Sequence, residues 1–206
     1  MSAWFRTSAG ILACPPKGGF TSLKFCMPQR GGGRNEGVSA SANTQVTLVV
    51  RDPWQRWLSG VYRFKWSKDE HGPAVNHVVG DQRVHEFCTR PLDASYFEDF
   101  FHQVTVPLET YGMDITDWHD TDQHYTSTAR YLQDCGFGKP DHVIALEGCE
   151  SYLQQFGIDY KIRNVAADYG GVSKAGYAQL AKDTQFLVRR LWKQDYRWRL
   201  RATAQK

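Results

Sequence analysis

Apolar positions along the chain fall into two spacings. "VTLVV", Val46 to Val50, is an unbroken apolar run, the pattern of a strand buried on both faces rather than one that alternates. "HVIALE", His142 to Glu147, reads as a second buried strand. After "RDP" the spacing becomes helical: "WQRWLSGVYRFKW" spreads aromatic and aliphatic residues along one helix, and Pro53 suits its first turn. By that spacing most of Trp54, Trp57, Tyr62, Phe64 and Trp66 belong to the core. "DASYFEDFFHQV" has the Asp/Ser start of a helix, and "CESYLQQFG" is a helix ended by Gly157. From Ser173 the chain is helical in two stretches, and near the start a short apolar run from Ile11 leads through a glycine turn into another helix. Strand, loop and helix in repetition predict an α/β fold with a central, mainly parallel sheet flanked by helices.

The 206 residues, 41% of them apolar, suffice for one domain with a proper core. Gln29 to Thr44, rich in Gly, Ser and Asn, predicts an exposed loop, and residues 65–90 a polar excursion. Net charge is only +3, but Arg189 to Lys206 sets many cations against the single acid Asp195. That basic C-terminal helix, about residues 183–201, is read as a solvated face or a contact for a polyanion. Five cysteines without a CxxC pair predict reduced, mostly buried thiols. No apolar stretch approaches the roughly 20 residues of a membrane span, and the first residues lack the pattern of a signal peptide. A cytoplasmic, soluble protein is the expectation.

Two turns carry the candidate chemistry. In "CPPKGGFTSLK" the glycines Gly18 and Gly19 let the backbone approach an anion. Amides from Gly19 through Phe20 and Thr21 to Ser22 would point at a phosphate at a helix start. Thr21 and Ser22 add hydroxyls, and Lys17 adds a full charge. The plainer alternative is a tight turn in which Thr21 only caps a helix. In "VVRDPWQRWLSGVYRF", Arg51 ends a strand and can fork onto phosphate oxygens, while Ser59 follows about two helical turns later. Both turns fall where a strand gives way to a helix, the edge at which α/β sheets bind ligands.

Together these motifs resemble the paired signatures of sulfotransferases that use 3′-phosphoadenosine 5′-phosphosulfate (PAPS), nearest to the Golgi-type carbohydrate sulfotransferases. "DQHYTSTARYL", "DHVIALEGCESYLQQFG" and "VRRLWKQDYRWRL" resemble later elements of that family, in family order, so the likeness runs from about Ile11 to Leu200. It implies a P-loop nucleotide-kinase-like sulfotransferase fold. It implies that Lys17 contacts the bridging oxygen and sulfuryl group while the loop amides, Thr21 and Ser22 hold the 5′-phosphate. Arg51 and Ser59 would hold the 3′-phosphate. The activity implied is transfer of a sulfuryl group to a hydroxyl acceptor of carbohydrate class, releasing adenosine 3′,5′-bisphosphate, with no metal required.

An alcohol acceptor needs a base. Glu36, about twenty residues beyond the first loop, matches the place of a catalytic glutamate in several sulfotransferase branches. His124 lies in the family-like "DQHY", and other branches use a histidine; both candidates stand. His119, Asp120, Asp122 and His124 are crowded enough to look like metal ligands, but their spacing matches no hydrolase motif. A kinase with an irregular P-loop is the alternative enzyme, against which the absence of G-x-x-x-x-G-K-[ST] counts. A polyanion-binding module is the third reading, and no base-reading motif supports a nucleic-acid partner.

Overall fold

The computed structural model describes residues 4–15, 18, 22–23, 26–27, 30–31, 44–70, 87, 90–111, 125–161 and 174–204, with backbone alone at 30–31, 63–70, 111 and 174. These residues form two compact units. The first comprises Met1–Pro53, Ser127–Val165 and Trp192–Lys206; the second comprises Trp54–Thr126 and Ala166–Leu191.

The first unit is an α/β layer structure around a five-stranded sheet. Its strands are β1 (Trp4–Thr7), β2 (Gly10–Ala13), β3 (Arg30–Gly31), β4 (Val46–Val50) and β5 (His142–Ala145), in the order β3-β1-β2-β4-β5. β2 pairs parallel with β4, and β4 with β5, whereas β1 pairs antiparallel with both β2 and β3. The sheet is thus mixed, where the sequence predicted a mainly parallel one. The difference comes from the hairpin β1–β2, which turns through Ser8 and Ala9 and puts Thr7 opposite Gly10. Gly10 has φ 132°, and a Cβ there would lie 2.3 Å from the Gln45 carbonyl oxygen, so only glycine closes this turn against β4's approach.

Alternation along β4 explains its unbroken apolar run. Val46, Leu48 and Val50 face one core, and Val49 faces the other, where the Thr47 hydroxyl shares a 3.0 Å hydrogen bond with Tyr152. Both faces are covered, so neither set of side chains meets water. The first face is packed by α4 (Thr128–Asp134) and α8 (Lys193–Ala204), through Tyr131, Leu132, Trp198 and Ala202. The opposite face is packed by Leu23 and Met27 and by α5 (Cys149–Gln154), through Cys149 and Leu153. Asp141 ties the amino ends of β4 and β5 together: its carboxylate accepts from the Val46 amide at 2.8 Å, and its own amide donates to the Val46 carbonyl at 2.9 Å.

α8 does more than cover the sheet. Its Asp195, 2% exposed, accepts from the amides of Thr128 at 2.6 Å and Ala129 at 3.1 Å, while Ser127 accepts from Arg130. The orphan donors of α4's first turn are therefore met from within and from a distant helix. The sequence treats Asp195 as a lone acid in a basic face, but it is a buried cap. The basic end also forms three helices where two stretches were predicted: α6 (Lys174–Leu180), α7 (Thr184–Leu191) and α8.

The second unit is helical and aromatic. It contains nearly all of α1 (Pro53–Glu70), then α2 (Ala94–Phe100), a π-helical turn (Phe101–Thr105) and α3 (Val106–Tyr111), with α6 and α7. Asp93 caps α2 by accepting from Tyr96, as the Asp/Ser start predicted. Pro107 has no N–H to return to the turn before it, and the wider π turn lets the helix run on. Trp57 lies at the centre, its ring against Phe97, Phe100 and Phe101 and its indole N–H on the Thr105 hydroxyl at 3.0 Å. Trp54, Trp57 and Tyr62 are buried, as their spacing predicted.

Candidate functional site

Because β2, β4 and β5 are mutually parallel, their carboxyl ends share one edge of the sheet. Register fixes this: Ala13 is opposite Leu48, and Val50 opposite Ala145. Three segments leave from that edge, all in the first unit: Cys14 and Pro15 after β2, Arg51 and Asp52 after β4, and a 3-10 turn, Leu146–Gly148, after β5. This is the edge where an α/β sheet places ligands.

In the first segment the Gly18 amide donates to the Pro15 carbonyl at 2.9 Å. A Cβ on Gly18 would sit 2.9 Å from that same oxygen, so the close turn requires glycine. Ser22 and Leu23 are helical and buried, and Met27 closes a helical turn onto the Leu23 carbonyl at 2.9 Å. The Ser22 hydroxyl hydrogen-bonds the Tyr160 phenol. Burial pushes that phenol up to about 12, the Cys149 thiol beside it adding to the effect and Ser22 opposing it. Lys17, Gly19, Phe20 and Thr21 lie outside the described residues.

Arg51, half-buried, follows β4 directly. Burial lowers its guanidinium from the ordinary value, and the carboxylates of Asp52 and Glu147 act the other way. Glu147 stands where β5 gives way to α5, and Arg199 of α8 grips both of its oxygens, at 2.6 and 3.0 Å. The carboxyl ends of β4 and β5 thus bring together two cations, Arg51 and Arg199, and two anions, Asp52 and Glu147. Just behind them the Cys149 thiol is pushed up to about 12 by burial first, then by the Glu147 charge and by Cys26. Ser59 is half-buried on α1 and belongs to the second unit.

Both proposed bases, Glu36 and His124, lie outside the described residues, as do His119, Asp120 and Asp122. Among the described residues no group of three or more His, Cys, Asp or Glu is placed to hold a metal ion. No described helix is long and apolar enough to cross a membrane. An open depression lined by Arg6, Thr7, Ser8, Gly10 and Gln45 lies at the amino ends of β2 and β4, the opposite edge from Arg51.

Sequence reasoning gathered the glycine turn and Arg51, and took Arg199, with Arg197, as a polyanion contact of the basic helix rather than as the partner of Glu147; it did not single out Tyr160 or the separate role of Glu147, which entered only as part of a strand-to-helix motif. For Glu147 a signal existed, an acid at the end of a buried strand. Arg199 is one cation among many in its helix, and nothing local marks it. Comparison of the chain with family models, with curated proteins and with solved structures found no match in any of the three.

Proposed function

We propose that this chain is a sulfotransferase that moves the sulfuryl group of PAPS onto a hydroxyl acceptor, of carbohydrate class by the family likeness of its motifs. In this reading the first unit has the nucleotide-binding layout shared with P-loop kinases. One observation carries it. The glycine turn and Arg51 each follow one of two neighbouring parallel strands, so Pro15 and the Gly18 that turns back onto it, on one side, and Arg51 on the other, leave from one edge of one sheet; Ser59, the other residue of the second motif, belongs to the second unit. A single doubly phosphorylated nucleotide fits such an edge, with its 5′ end at a turn that a Cβ would close and its 3′-phosphate at a half-buried guanidinium.

The chemistry asked of these residues is positioning and charge stabilisation. The acceptor oxygen attacks sulfur in line as the bond from sulfur to the bridging phosphate oxygen breaks. Charge grows on that leaving oxygen, where Lys17 would meet it, and adenosine 3′,5′-bisphosphate departs. The acceptor proton goes to Glu36 or to His124. Amides of the turn, with Thr21 and Ser22, would hold the 5′-phosphate, and Arg51 the 3′-phosphate.

Calorimetry with adenosine 3′,5′-bisphosphate, in the absence of magnesium, tests the reading directly. Binding is expected, with ATP ignored; magnesium-dependent binding of ATP alone would instead identify a kinase with an irregular loop. Arg51→Ala should weaken bisphosphate binding by about 1.5–3 kcal/mol, the magnitude of a charge-assisted hydrogen bond. Lys17→Ala should abolish transfer from labelled PAPS while leaving product affinity largely intact. Glu36→Gln and His124→Ala, assayed side by side, identify the base by which one removes turnover.

A further inference from the structure

The outward side of α8 is a row of cations. Lys193, Arg197 and Arg201 recur at every fourth residue, about 6 Å apart along the helix axis, and all three are exposed. Among the described residues none of their side chains has a hydrogen bond or an ion pair. The other charges of the helix are engaged elsewhere: Asp195 is buried on the amides of Thr128 and Ala129, and Arg199 holds Glu147. Trp198 and Ala202 are buried against the sheet on the opposite side. The row therefore cannot turn inward, and its own helix supplies no acid to neutralise it.

We infer that Lys193, Arg197 and Arg201 form a docking face for an acidic polysaccharide, a linear sugar chain bearing sulfate or carboxylate groups. The row spans about 12 Å, more than one small anion can bridge, whereas a chain of anions can meet all three cations. Two of the three are arginines, whose planar forks match carboxylate and phosphate-like oxygens. A membrane surface fits less well, because an amphipathic helix binds one by sinking its apolar side, and that side of α8 lies on the sheet. Leu200, 69% exposed, is the one large apolar residue beside the row. Nucleic acid also fits less well: the chain's net charge of +3 is small for that role, and no aromatic ring stands in the row to stack on a base. The choice of a sugar chain among polyanions rests on the sulfotransferase reading, whose acceptor is a carbohydrate. Through Arg199 and Glu147, the docking face and the candidate edge share one helix.

Calorimetry on the full chain with dextran sulfate, and with plain dextran as its uncharged counterpart, tests the face. Dextran sulfate should bind, more weakly as salt rises, and plain dextran should not. Arg197→Glu combined with Arg201→Glu should weaken that binding by about tenfold, since two exposed ion pairs are lost and two repulsions gained. Arg197→Gln with Arg201→Gln, which removes the charges without reversing them, should weaken it by about threefold. Lys139→Glu with Lys161→Glu makes the same change in net charge at exposed sites outside α8 and should shift affinity by less than about twofold. Equal weakening by the α8 and control pairs overturns the inference, as does a wild-type protein that ignores dextran sulfate. Tighter binding of duplex DNA or of polyglutamate than of dextran sulfate also overturns it, in favour of a nucleic acid or an acidic protein. Affinity for adenosine 3′,5′-bisphosphate should be the same in the α8 variants, so the two readings fail separately. A protein that binds dextran sulfate through α8 but no bisphosphate keeps the docking face and loses the sulfotransferase reading; the reverse result loses the face alone.

Discussion

Burial holds the Cys149 thiol and the Tyr160 phenol protonated well above their ordinary range, each to about 12. In the unfolded chain the thiol titrates near 9 and the phenol near 10. Above those values the native first unit keeps protons that the unfolded chain has lost, so its stability falls as pH rises. Below pH 9 both contributions are present in full; by about 12 they are gone. Urea midpoints of the first unit should therefore be flat with respect to these two groups up to pH 9 and slope downward beyond it. Cys149→Ala combined with Tyr160→Phe should flatten the slope, and an unchanged slope in that variant would show that other groups cause it. The same protonated, buried thiol should resist alkylation in the folded protein at neutral pH.

Elements show why some of this architecture was legible and some was not. β4 could be read because both of its faces are covered, which leaves a continuous apolar signature. α2 announced itself through Asp93, and α5 ends near Gly157, whose φ is 71°. β1 gave no such signal: it is four residues long and carries Arg6 and Thr7, so neither length nor periodicity separates it from loop. The break between α7 and α8 was hidden because helical spacing continues across Trp192, and the buried role of Asp195 depends on partners 67 and 66 residues away. Of the candidate site, Gly18 and Arg51 could be picked out because glycine and arginine at the ends of strands are a local signal. Tyr160 and the pairing of Arg199 with Glu147 could not, since each depends on a neighbour that only folding supplies. α8 itself offers the clearest element-level test. Trp198 is 5% exposed in the core that covers one sheet face, so Trp198→Ala should cost about 3–5 kcal/mol of stability. Chemical denaturation measures it, and a loss under about 1 kcal/mol would mean that α8 packs elsewhere in solution.

At the scale of the molecule, the first unit is stitched from three separated stretches of chain. Asp141 bonds Val46 across 95 residues, and Asp195 reaches Thr128 across 67. Such non-local closure makes folding slow relative to a helical bundle of similar size. It also predicts that a fragment of residues 1–165 lacks a fixed core, because the sheet face covered by Trp198 and Ala202 would be bare. Dispersed amide resonances in that fragment would contradict the prediction. Adding residues 192–206 as a separate peptide should recover part of the order. Asp195 and Arg199 sit one helical turn apart on α8, the former fastening α4 and the latter restraining Glu147. Whatever loosens one fastening slackens the other, so a substitution that frees the first turn of α4 should also release the Glu147 carboxylate, and the two cannot drift independently.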